Sequence, residues 1–273
     1  MQHNEIRAFS LASGSSGNAM LFQSNQTSLL IDAGLPLRTL SAHLARHRVG
    51  TGDLGAVLLT HEHHDHVVGA GALARRTQAP LIANAATLCA YAERDVLPFA
   101  RREMPTGTAL EIGPFLIESF AVPHDAAESV GYTLRVGTQK IAYFTDAGTV
   151  TPAMREALRE TNLAIVEANH DVEWLRRGPY SDAMKARVAS DTGHLANSDC
   201  AEMLAERLQT GQPLCVWLAH LSRVNNSPAL ARRTITSRLR ALTHTPFALD
   251  VALRDHPSLS WRTGAQPIQL SLL

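Results

Sequence analysis

Within the six residues His61-Glu62-His63-His64-Asp65-His66, four candidate metal ligands, His61, His63, Asp65 and His66, share one short turn. Imidazole and carboxylate are the side chains that hold zinc and similar divalent ions, and four of them are too many for one catalytic ion that keeps a position open. The spacing therefore predicts two metals. Three further residues of suitable chemistry, His124, Asp146 and His220, stand just past apolar segments, as His61 does, and Asp32 follows the apolar run Leu29-Leu30-Ile31. Open α/β sheets place ligands beyond the carboxyl ends of their strands. The pattern predicts that loops distant in sequence converge on one sheet edge.

The elements that must carry those loops are visible as periodic or wholly apolar runs. Strand-like segments fall at 6–11, 19–23, 28–31, 56–60, 115–122, 131–136, 140–144, 163–167 and 214–219. Several are apolar at nearly every position, which predicts burial on both faces. Helical patterns occupy about 36–48, 66–78, 84–94, 152–160, 181–190, 197–209 and 228–241, with Ser227-Pro228 as an N-cap and first-turn proline for the last. With no repeat or flexible linker between the halves, residues 1–273 read as a single α/β domain.

Composition narrows the class further. The 25 basic and 25 acidic residues cancel, so no global positive field draws in nucleic acid and any polyanion must be held locally. Cys89, Cys200 and Cys215 are odd in number and lack metal-type spacing, which argues against a disulfide framework and for a reducing cytoplasm. The stretch Met1-Gln2-His3-Asn4-Glu5 carries no basic segment leading into an apolar core, and no apolar run approaches membrane-spanning length. The expectation is a cytoplasmic protein with no membrane association; its oligomeric state is left open.

His61, His63, Asp65 and His66 match the order H-x-H-x-D-H, and on that motif the chain resembles the metallo-β-lactamase superfamily. The resemblance implies an αββα sandwich, two mixed β-sheets flanked by helices. It implies His61, His63 and His124 on one metal, Asp65, His66 and His220 on a second, Asp146 bridging both, and a hydroxide between the ions as nucleophile. His64 would point elsewhere, and Asp32 would support the ligands from outside their set. Two divalent ions are implied, zinc first, with manganese or iron also compatible with such donors.

A narrower resemblance covers nearly the whole chain. Glu167-Ala168-Asn169-His170-Asp171, Gly178-Pro179-Tyr180, Ser190-Asp191-Thr192-Gly193-His194-Leu195-Ala196-Asn197 and His220-Leu221-Ser222-Arg223-Val224-Asn225-Asn226-Ser227-Pro228 look like the YycJ/WalJ-type bacterial metallohydrolases. So does Ser13-Gly14-Ser15-Ser16-Gly17-Asn18, which reads first as a hairpin turn and otherwise as a nest of backbone amides for an anion. Members are regarded as 5′→3′ DNA exonucleases, so DNA is the implied substrate. The tRNA-processing branch carries H-x-S-x-R-Y at its last histidine, and the run from His220 to Asn225 departs from it.

By the same resemblance, His194 is the non-ligand histidine that contacts phosphate and protonates the leaving group, together with Asp65 and Asp146 as the residues of the reaction centre. An imidazole suits proton donation because it titrates near neutral pH. His170 either lines the substrate groove or braces its own loop, and Asn225 is a candidate substrate contact. The competing functions are a small-molecule or RNA phosphodiesterase on the same centre, and a metal-stabilised scaffold without catalysis.

Overall fold

A computed structural model of the chain describes residues 5–50, 52–98 and 100–264. Residues 1–4 of the N-terminal stretch read above lie outside them. The first sheet holds β1 (Arg7–Ala12), β2 (Ala19–Gln23), β3 (Ser28–Ile31), β4 (Leu54–Leu58), β5 (Leu81–Ala83) and β6 (Arg101–Glu103). The second holds β7 (Ala109–Ile112), β8 (Phe115–Ala121), β9 (Val130–Val136), β10 (Gln139–Phe144), β11 (Leu163–Glu167), β12 (Leu214–Ala219) and β13 (Phe247–Val251). The chain then returns to the first sheet, where β14 (Leu259–Arg262) pairs with β1.

Each sheet is an antiparallel meander that continues as parallel strands. Pairing is antiparallel through β14-β1-β2-β3 and parallel through β3-β4-β5-β6; it is antiparallel through β7-β8-β9-β10 and parallel through β10-β11-β12-β13. Parallel neighbours need a long crossover, usually helical. The first sheet has α1 (Leu37–Arg46), α2 (His64–Val67), α3 (Ala70–Thr77) and α4 (Ala85–Ala92) in those connections. The second has α5 (Pro152–Leu158), α6 (Val172–Arg177), α7 (Asp182–Val188), α8 (Asn197–Leu208) and α9 (Pro228–Leu242).

The apolar runs explain the layering. Strand side chains alternate between faces, and on β3 Leu29 and Ile31 join the core between the sheets while Leu30 joins the core beneath the helices. Phe22, Leu58, Phe115, Tyr143, Ile165 and Trp217 fill the space between the sheets. Leu40, Leu44 and Leu73 cover the outer face of the first sheet; Met154, Leu204 and Ile235 cover that of the second. The result is the expected αββα sandwich of two mixed sheets. Among the described residues no helix is long and apolar enough to cross a membrane.

Several boundaries differ from the periodic reading. The helix expected over 66–78 is broken into α2 and α3 at Gly69, where any side chain would collide with the Leu35 carbonyl. Strands β5 and β6 are three residues each, and β6 is exposed Arg-Arg-Glu without apolar alternation. Strands β7, β13 and β14 and helix α6 also lay below what the pattern revealed. The Ser227-Pro228 signal was sound: the Ser227 hydroxyl accepts from the Leu230 amide at the start of α9.

One glycine fixes how the metal-type turn docks. The Asn18 amide donates to the Asp65 carbonyl at 2.8 Å, Gly34 N to Asn18 O at 2.9 Å, and Ala33 N to His66 O at 2.8 Å. A Cβ on Gly34 would collide with the Asp65 carbonyl. Gly34→Ala is expected to cost about 1–3 kcal/mol, as overpacking does, measured by urea denaturation. Gly52→Ala, where an added methyl meets nothing within 4 Å, is the control that should change stability little.

Candidate metal centre

The residues singled out in the sequence come from both sheets and meet at one edge. Asp32 directly follows β3, the His61–His66 turn follows β4, His124 follows β8, Asp146 follows β10, and His220 directly follows β12. Asp32, Asp146 and His220 have φ of 58°, 57° and 52°, in the left-handed region that side chains other than glycine seldom adopt. Such conformations persist only where surrounding contacts hold them. The His220 amide donates to the Ser13 hydroxyl at 2.8 Å, which ties the β1–β2 hairpin to the site, and Ala147 N, next to Asp146, donates to Glu167 Oε2 at 2.7 Å. Gly148 N donates to Pro123 O at 2.9 Å and Asp125 N to Thr192 O at 3.0 Å, binding three loops together.

Four overlapping groups bring metal-ligating atoms within 4.8 Å of one another: His61, His63 and His124; Asp65, His66 and His220; His61, His66 and Asp146; and Asp146, Glu167, His194 and His220. Asp146 lies between the first two, with Oδ2 at 3.2 Å from His66 Nε2 and Oδ1 at 3.8 Å from His124 Nε2. His124 Nδ1 faces the Gly193 carbonyl at 3.1 Å, leaving Nε2 directed at His63 Nδ1, 3.2 Å away. His61 Nε2 is buried without a hydrogen-bond partner. Buried polar atoms are normally satisfied, and a divalent cation fits this donor set. His64 is exposed and outside all four groups.

Two buried carboxylates outside the metal turn orient the imidazoles. Asp32 accepts from Thr60 N at 2.9 Å, from the Thr60 hydroxyl at 3.0 Å and from the Tyr143 hydroxyl at 3.2 Å, and it pairs with His66 Nδ1 at 2.8 Å. Glu167, which sequence reasoning passed over as a site residue, does the same in the second sheet. Its Oε1 lies 2.9 Å from both His194 Nδ1 and His220 Nδ1, and its Oε2 accepts from Leu195 N at 3.2 Å as well as from Ala147. The available signal was an acidic residue ending the apolar run Leu163-Ala164-Ile165-Val166. Asn18 was also missed as a site residue: its amide nitrogen lies 2.9 Å from His66 Nε2 and 3.2 Å from Asp65 Oδ2.

Charge coupling divides the histidines. Burial, with the neighbouring His66 cation, holds His61 well below the ordinary imidazole range, and burial lowers His124. At His66 burial again disfavours charge, but Asp32, Asp146 and Asp65 outweigh it and hold the group well above that range. Burial likewise opposes the His220 cation, yet Asp146, Asp65 and Glu167 raise it to about 10. His194 is raised by Glu167 against its own burial. Burial favours neutral carboxyls, but His66 and His220 pull Asp65 down to about 2, and His194 and His220 pull Glu167 down to about 2. The edge is thus a mesh of paired opposite charges, and histidines that take up a metal there must first release protons.

His170 and Asn225 are buried, 3% and 0% exposed. The His170 carbonyl accepts from Asn197 N at 2.8 Å, and the Asn225 carbonyl accepts from Asp171 N at 2.9 Å, so their backbones brace the loops. The Ser13–Asn18 segment is a hairpin turn closed by Gly14 N donating to Asn18 Oδ1 at 2.8 Å.

A sandwich of this topology with a His/Asp edge is the metallo-β-lactamase arrangement, and residues 27–216 match the family model described as beta-lactamase superfamily domain. The chain belongs to that superfamily of metal-dependent hydrolases, and within it to the group of the bacterial exodeoxyribonucleases YycJ and WalJ. It is 36% identical to exodeoxyribonuclease YycJ of Bacillus anthracis over 231 residues, covering 84% of this chain and 87% of that one. It is 37% identical to exodeoxyribonuclease WalJ of Streptococcus pneumoniae over 233 residues, 84% and 86% of the two chains. Among solved structures, the metallo-β-lactamase fold protein YhfI from Bacillus subtilis superposes with a TM-score of 0.70 at 18% identity, over 95% of this chain and 99% of that one, a likeness of fold.

Asp32→Asn tests how far the ligands depend on their outer partners. Asparagine tolerates the left-handed backbone but removes the charge facing His66. Metal affinity, measured by competition with a chromophoric chelator, is expected to fall about 10- to 100-fold.

Proposed function

We propose that the protein is a 5′→3′ DNA exonuclease that hydrolyses phosphodiester bonds with two divalent ions, zinc first. The two relatives named exodeoxyribonuclease support DNA as the substrate. The observation that carries phosphodiester chemistry is the His194–Glu167 pair: an imidazole outside the two ligand sets assigned below, partly open to solvent, with one nitrogen committed to a buried carboxylate. His61, His63 and His124 would hold one ion and Asp65, His66 and His220 the other, with the Asp146 carboxylate between them. Ions held there would supply a nucleophile at neutral pH and would neutralise charge developing on the phosphoryl oxygens.

The chain's own residues do the rest. Glu167 accepts from Nδ1–H of His194 and favours its imidazolium form, whose Nε2–H is then the proton donated to the departing alkoxide, leaving the neutral imidazole. The same carboxylate orients His220, so donor and ligand are aligned by one group. Buried as they are, His170 and Asn225 take bracing roles in this reading. Because each sheet supplies part of the centre, both are assigned to one domain. Free Cys89, Cys200 and Cys215 support a cytoplasmic location.

On 5′-labelled duplex DNA the metal-loaded enzyme is expected to release labelled mononucleotides first, and a chelator should abolish the reaction. His194→Ala should lower kcat about 100-fold or more with metal content unchanged. Early release from a 3′ label would refute the polarity. Cleavage of bis-p-nitrophenyl phosphate without any of DNA would assign the centre to small diesters instead.

A further inference from the structure

The two segments that leave the second-sheet side of the metal centre wall an open cavity. One runs from Glu167 into α6 and the other from His220 towards α9, and they are joined side by side. Asn169 Nδ2 donates to His220 O at 2.8 Å, Ser222 N to Asn169 O at 2.8 Å, and Asp171 N to Asn225 O at 2.9 Å. Just beyond lies a cavity of about 610 Å³ lined by Asp171, Glu173, Trp174, Arg177, Gly178 and Val224. Asp171 and Val224 are each four residues from Glu167 and His220 respectively, at most about 14 Å of extended chain. A polymer bound at the metals on this side meets the cavity within a few monomers.

Trp174 is out of place as a core residue. It is 47% exposed, whereas Trp217 and Trp261 are 5% and 7% exposed. Val224, on the same lining, is also exposed, although large apolar side chains that reach solvent are few among the described residues. The ionic groups nearby are already committed. Glu173 takes Arg176 Nη2 at 2.8 Å and Arg177 Nε at 3.2 Å, and Asp171 caps α6 by accepting from Glu173 N at 3.1 Å and Trp174 N at 3.0 Å. What the cavity offers is an exposed indole together with Gly178 and Val224, with charges cancelled around it. Six lining residues fall far short of the roughly 20–30 a side of a stable protein interface. A planar ring fits the chemistry.

We infer that the Trp174 indole is a stacking platform for an unpaired base of the DNA strand whose phosphodiester lies at the metal centre. The inference rests on the DNA reading above and deepens it. Stacking tolerates any base because each has a π face, so the platform suits an exonuclease that does not choose its sequence. It also requires the base to leave its duplex neighbour, which predicts tighter binding of single-stranded or overhanging ends than of blunt ones.

The test is a fluorescence titration of metal-loaded, full-length protein with a short, hydrolysis-resistant phosphorothioate oligothymidine. Since the other two tryptophans are buried, quenching reports Trp174. The wild type is expected to be quenched on binding. Trp174→Ala should bind about 10-fold more weakly at an unchanged thermal midpoint, and Trp174→Phe should recover most of the affinity while losing the quench. Equal affinity for wild type and Trp174→Ala, or a quench that survives in Trp174→Phe, would overturn the platform and leave the nuclease reading standing. A wild type that binds no oligonucleotide would overturn both.

Discussion

Asp32, Asp146 and Glu167 place three carboxylates where water scarcely reaches, between and at the ends of two β-sheets. An unpaired ionised carboxylate in such surroundings is strongly unfavourable, so each must be met by donors or cations held in place by the fold. The matching groups come from across the sandwich. The Tyr143 hydroxyl of β10 donates to Asp32 at the end of β3, the Tyr132 hydroxyl of β9 donates to Leu59 O at 2.6 Å, and Val130 N donates to Thr60 O at 3.0 Å. Charge compensation at the site is thereby also a clamp between the sheets. Removing one partner strands the others, which couples the chemistry of this edge to the stability of the fold.

Backbone geometry follows from the same demand. A carboxylate or imidazole that must face its partners at once upon leaving a strand has little chain in which to turn, and Asp32, Asp146 and His220 turn in the left-handed region. The loops around them approach so closely that Gly34 rests on the Asp65 carbonyl and Gly148 on the backbone of Asp191. These positions are costly in isolation and are held by the strands behind them. The strands β3, β11 and β12, buried at every position, provide that rigidity.

The division between the two buried carboxylates is instructive. Asp32 serves the His66 side and Glu167 the His194 and His220 side, each from the carboxyl end of a parallel strand. The pair gives each sheet its own anchor for imidazoles, so the histidine-rich edge is assembled from two similar halves. Glu167 additionally holds two histidines, His194 and His220, through a single oxygen, and His220 alone of the two also groups with Asp65 and His66.

Local sequence determined the strands that form the core, the His61–His66 turn, the capped start of α9, and the placement of Asp32, His124, Asp146 and His220 past strand ends. Those features rest on period, composition and neighbouring residues, all of which the chain carries along its length. Tertiary structure decided the rest. The short strands β5, β6 and β14 exist because a neighbouring strand offers hydrogen bonds, and the helix breaks at Gly69 because another loop occupies the space a side chain would need. Glu167 looks in sequence like the polar end of a strand; its partners are 27 and 53 residues away. His170 and Asn225, polar residues in promising motifs, are buried by packing that no local pattern encodes. Only the folding of both sheets onto one edge turns separate strand endings into a charge-compensated centre, because electrostatic pairing depends on distance in space and not on distance along the chain.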